Sequence, residues 1–125
     1  RATMAAAPVF KFPAPGPDPM TTDLDGWVKL QGEPWMRTWI QHTSADGSVI
    51  SGTWEAGGSS YPATYHATYA AYEFVHMIEG KIVITPDGGE AVTLGPGDAF
   101  VVEPGFKGVW SIEAPVKKHF AIKLK

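Results

Sequence analysis

From Trp27 onward the chain is a succession of short apolar-rich runs: WMRTWIQH, GSVISGTWEA, ATYHATYAAY, EFVHMIEG, KIVIT, AVTL, DAFVVE, GVWSIE and VKKHFAIKL. Each is bounded by turn-forming segments such as ADG, PDGG, GPGD and EPG. Runs of this length, rich in aromatic and β-branched residues, predict strands, and nine at this spacing predict a sandwich or barrel. No stretch longer than ten residues keeps a 3.6-residue period free of Gly, Pro or β-branched crowding, so helix is expected only as one turn near Thr21–Asp25. Strand parity divides KHFAIKL into a face carrying Lys118, Phe120, Ile122 and Leu124 and a face carrying Lys117, His119, Ala121 and Lys123. Parity alone does not say which face is the interior.

Before Trp27 the text is different. Pro8, Pro13, Pro15, Pro17 and Pro19 fix φ and remove donors, so FPAPGPDP is neither helix nor central strand. Residues 1–26 are therefore expected as an extended arm and residues 27–125 as the barrel. DLDGW, Asp23 to Trp27, lacks the remaining acidic ligands of a calcium loop and reads as a turn. A chain of 125 residues with 44% hydrophobic content has room for one core. Its 14 Gly and 11 Pro are spread between apolar runs, which points to tight turns instead of disorder. All-β is the expected class.

Charge and residue inventory narrow the chemistry. A net charge of -3, with Lys117, Lys118 and His119 as the one short basic cluster, gives no footprint for nucleic acid. The absence of cysteine excludes disulfides, thiolate metal sites and cysteine nucleophiles. No apolar window is long enough to span a membrane, and a soluble, cytoplasmic protein is expected. There is no G-x4-G-K-[ST] phosphate loop and no G-x-S-x-G elbow. GPGD, Gly95 to Asp98, is a turn that calls for positive φ.

The segment from Glu73 to Phe120, with WEA before it and GPGD, EPGFKG and KKHF in order within it, resembles the small single-domain cupins. The resemblance is to the DUF861, or Cupin_3, group, related to the cupin domain of ureidoglycine aminohydrolases and to the ethanolamine-utilisation cupins, and it covers roughly Trp54 to Leu124. It implies an RmlC-like conical β-barrel, or jelly roll, with metal ligands drawn from G-x5-H-x-H-x3-4-E-x6-G and G-x5-P-x-G-x2-H-x3-N. On those motifs His66 takes the first imidazole position, Thr68 replaces the second, Glu73 takes the carboxylate and Gly80 closes the first motif. In the second, Gly97, Pro104 and Gly105 give the turn and Gly108 stands at the imidazole position. A divalent Mn, Fe, Ni or Zn ion would thus meet a degenerate set of His66 and Glu73, and a threonine hydroxyl is a weak donor for it.

The resemblance turns Glu73 inward among aromatic residues, where burial disfavours the charged form unless a cation or hydrogen bonds compensate, and so makes Glu73 the expected acid/base. Thr68, Trp54, Tyr65, Trp110 and His119 are the expected cavity residues, and Trp39, Tyr69, Phe100 and Phe120 are further aromatic candidates, for which core packing is the simpler role. Trp110 is expected to narrow the metal pocket. His76, three residues after Glu73, should point to the opposite side of its strand, and His42 has no indicated role. Three functions follow: an enzyme acting on a small organic molecule in the barrel, a metal-free module binding a carbohydrate or organic acid, and a homodimeric scaffold. In the last, the arm buries Val9, Phe10 and Phe12 on a neighbouring subunit.

Overall fold

Residues 8–124 are described by the computed structural model. The architecture follows from two long strands, β5 (Tyr72–Pro86) and β8 (Lys107–Lys123). Along β8 the even positions from Gly108 to Phe120 are buried or half-buried while the odd positions are more open, so the apolar residues at 110, 112, 116 and 120 share the inner face. β5 pairs with β8 along nearly its whole length. The other edge of β8 is shared, with Lys107–Ile112 pairing β4 (Ala63–Thr68) and Val116–Lys123 pairing β3 (Val49–Gly57). β1 (Val28–Gln31) extends β4, β2 (Trp35–Thr43) extends β3, and the short β6 (Val92–Leu94) and β7 (Ala99–Val102) pair with β5. All of these pairings are antiparallel, and the sheet curls into a half-barrel around one core.

Curling requires the two long strands to bend together. β5 bends at register shifts between Met77 and Ile82, and Gly80 lies inside them with φ of 90°. A Cβ on Gly80 would lie 2.1 Å from the Pro115 carbonyl oxygen, so only glycine lets the strands approach here. The expected break between EFVHMIEG and KIVIT is therefore a bend within one strand. Likewise GVWSIE and VKKHFAIKL are one strand, and β1 is added, which gives eight strands among the described residues against the nine runs of the sequence.

The predicted turn is present as a 3-10 turn over Asp23–Gly26 that buries Leu24 in the core. Before it, Met20 bridges Thr38 of β2 through two backbone hydrogen bonds of 2.8 Å. The arm runs over its own barrel: Gly16 and Pro13 carbonyls accept from Trp39 Nε1 and Gln41 Nε2, each at 2.8 Å, while Phe10 packs on His42 and Phe12 on His119. Residues 1–7, the start of that arm, lie outside the described residues. Among the described residues no helix is long and apolar enough to cross a membrane.

Candidate functional site

One end of the barrel holds a cavity of about 440 Å³, a volume within the range of small-molecule sites. Its walls come from the 3-10 turn region (Met20, Asp23, Trp27), from β2 and β3 (Thr38, Ile40, Trp54), and from Tyr69, Glu73, Lys118 and Phe120. The lining is mainly apolar. Met20, Ile40 and Thr68 are exposed and form the rim.

At its floor lies an ion pair. Glu73 on β5 and Lys118 on β8 both occupy inward positions, with 4% and 2% of their surface exposed, and Lys118 Nζ donates to Glu73 Oε2 at 3.2 Å. The ammonium also lies over two indoles, 4.3 Å from the ring centre of Trp54 and 4.8 Å from that of Trp110. Burial holds the Lys118 pKa below its ordinary value, against the opposing attraction of Glu73. Lys118 thus supplies the cation that a buried Glu73 requires.

Behind the pair is a bank of aromatic rings. Tyr65 stacks between Trp27 and Trp110, with centroid distances of 5.3 Å and 6.0 Å, and Tyr69 stacks on Trp110 at 5.9 Å. Burial, and secondly the negative charge of Glu73, push both tyrosine hydroxyls well above their ordinary pKa. At the wall, Asp23 Oδ2 accepts from Thr38 Oγ1 at 2.7 Å, so the 3-10 turn and β2 lock together where they line the cavity.

The expected site residues divide. Glu73 and Trp54 line the cavity and Thr68 reaches its rim. Tyr65 and Trp110 are fully buried in the core behind it. His119 does not belong to the cavity, because its odd position on β8 turns it to the outer face, where it meets Phe12. His76 lies opposite it on that same outer face, as its spacing predicted.

His66 also points outward. The structure does not bring it to Glu73; its Nε2 faces the Asp87 carboxylate at 3.0–3.1 Å, across to the turn after β5. The reason lies in β4, where Ala63, Tyr65 and Ala67 are buried and Tyr65 pairs with the inward Trp110. A spacing of three residues before Glu73, which selects Ala67 and Tyr69, matches this parity; the spacing of four selects the outer face. Gly108 is no vacant position either, since a Cβ there would meet the Thr85 carbonyl oxygen at 2.4 Å.

A metal ion implied by the fold does not fit these residues. Glu73 already faces an ammonium, the inward positions ahead of it carry Ala67 and Tyr69, and among the described residues no group of three His, Cys, Asp or Glu is placed to hold an ion. Lys118 was the residue that sequence reading passed over, although its parity with Phe120 and Ile122 had placed it on the more apolar face.

Such a curled antiparallel barrel, with its cavity at one end and its GPGD turn held by Gly97 at φ of 89°, is a cupin. The chain belongs to the EutQ-like cupin domain family, which it matches over residues 43–120, more than half its length. Among solved structures it is similar to a DUF861-family protein of unknown function from Pseudomonas syringae, at 20% identity and a TM-score of 0.68 over 83% of this chain. It spans only 42% of that protein's chain. It is also similar to the Clostridium difficile EutQ protein (19% identity, TM-score 0.60, covering 76% of this chain and 75% of that one). A third is the polyketide cyclase RemF from Streptomyces resistomycificus (16% identity, TM-score 0.57, covering 86% and 75%). At these identities the likeness concerns the fold. No curated protein matches the chain.

Proposed function

We propose that the barrel binds a small, mostly apolar organic molecule in its cavity and moves a proton on it through the Glu73–Lys118 pair, without a metal ion. The observation that carries this reading is the buried pair at 3.2 Å on the floor of an aromatic-lined cavity. A carboxylate and an ammonium in contact can exchange a proton, and low polarity around them lessens the penalty for the neutral pair. A molecule entering the cavity meets a donor and an acceptor side by side. That RemF is a polyketide cyclase on a similar fold is consistent with small-molecule chemistry in such a barrel.

The reading is tested by a thermal-shift screen of small aromatic and aliphatic acids, ketones and alcohols. Ligands that fill the cavity are expected to raise the melting temperature, by about 2.7 kcal/mol of stabilisation at a hundredfold excess over Kd. Trp54→Ala is expected to weaken that effect. Glu73→Gln is expected to keep ligand binding while removing turnover of any ligand that is also a substrate. If no class of compound stabilises the protein, the cavity is not a ligand site.

A further inference from the structure

The floor of the cavity presents a primary amine in a setting that suits one particular reaction. Lys118 Nζ lies within the barrel, has an acid at 3.2 Å and is flanked by the faces of two indoles. We propose that Lys118 forms an imine with the carbonyl carbon of an apolar or aromatic aldehyde or ketone bound in the cavity, with Glu73 as the group that takes and returns protons. This inference rests on the cavity being a small-molecule site and names the substrate class and the reacting atom.

Three features support it. An amine must be neutral to attack a carbonyl, and burial disfavours the charged form of Lys118. Glu73 is in contact with the ammonium and can remove its proton. The product, a protonated imine, keeps a positive charge at the same nitrogen, where the Glu73 carboxylate and the faces of Trp54 and Trp110 stabilise it. The cavity therefore holds the charge both before and after the reaction.

Glu73 takes a proton from the Lys118 ammonium, and the freed electron pair on Nζ forms a bond to the carbonyl carbon as the C=O π bond moves to oxygen. Proton transfers between nitrogen, oxygen and Glu73 then give a carbinolamine. Glu73 protonates its hydroxyl, water leaves, and the nitrogen lone pair closes the C=N bond. The sum is carbonyl plus ammonium giving protonated imine plus water, with Glu73 returned as carboxylate and no change in net charge.

The test uses the full chain at neutral pH, benzaldehyde as the carbonyl probe and benzyl alcohol as its counterpart lacking the carbonyl. Sodium cyanoborohydride reduces any protonated imine by hydride transfer to carbon, which leaves a stable secondary amine, and peptide mapping by mass spectrometry locates it. The chain has eight lysines, so seven other lysine side chains, together with the α-amine, compete for the label. Lys118 is expected to be labelled about tenfold or more ahead of the exposed lysines, because bound probe is held against its amine. Lys118→Arg is expected to keep the cation and lose that label. Mapping of the unaltered protein decides the matter even where a variant fails to fold.

Label on surface lysines with Lys118 untouched overturns the imine. The cavity reading is judged apart from this: if both probes raise the melting temperature while Lys118 stays unlabelled, the cavity stands without the imine; if neither probe does and Lys118 stays unlabelled, the imine falls and the wider ligand screen decides the cavity.

Discussion

Lys118 and Glu73 have each left water, and their mutual attraction offsets that cost only while both are present. Lys118→Met strands a carboxylate among aromatic rings and is expected to cost about 3–5 kcal/mol of stability in urea denaturation. The double variant Lys118→Met/Glu73→Leu replaces both charges with apolar groups and is expected to recover most of that loss. A double variant as unstable as the single one would show that the two side chains do not act as a pair. Half of this pair was legible in the sequence: Glu73 by motif, Lys118 only as one member of a strand face. What hid Lys118 is that a lysine on an apolar face ordinarily extends to solvent, and only the curl of β8 over β3 and β5 closes that route. His66 failed for the opposite reason. The motif's elastic spacing allows two parities, and the choice between them is made by the pairing of Tyr65 with Trp110, a contact between residues 45 positions apart that no local pattern contains.

At the scale of elements, the turn chemistry and strand content were legible because they are local. GPGD predicted positive φ and Gly97 has it, at 89°, with the Gly95 amide donating to Asp98 Oδ2 at 2.8 Å. The continuity of β5 and β8 was not legible, because Gly80 and Pro115 look like breaks in a list of residues. In the sheet the two face one another and allow both strands to bend together. The two glycines separate these effects. At Gly97 a Cβ has open space, so Gly97→Ala is expected to cost about 1–2 kcal/mol, the strain of an L-residue at positive φ. At Gly80 the same strain combines with a collision against the Pro115 backbone, and Gly80→Ala is expected to cost about 3 kcal/mol or more. Urea midpoints at unchanged m-values measure both. Equal losses would mean that the close approach of β5 to β8 plays no part.

For the molecule as a whole, the barrel was readable from turn spacing and motif order, whereas the course of the arm was not. Its prolines predict extended backbone but not what that backbone lies on; the answer came from Trp39 and Gln41, outward donors on β2 that bond its carbonyls. Where the fold buries ionisable groups, global stability acquires a pH dependence of definite sign. Tyr65 and Tyr69 have folded pKa values well above the ordinary 10.0, so above pH 10 the unfolded chain has released protons that the folded one still holds. Stability therefore falls as pH rises from 10 toward the folded values. Lys118 acts in the other direction, since its folded pKa lies below the ordinary 10.5 and the unfolded chain holds more protons between the two. Its contribution rises with pH and is complete once pH passes 10.5, where the tyrosines continue to destabilise. Urea denaturation from about pH 9 to about pH 12 should thus show a loss that steepens at the alkaline end. Tyrosine absorbance should show Tyr65 and Tyr69, two of the four tyrosines, ionising only as the fold opens. Tyr65→Phe removes one such ionisation from the unfolded state and is expected to flatten the decline; four tyrosines ionising while the barrel is still folded would contradict the buried aromatic bank behind Glu73.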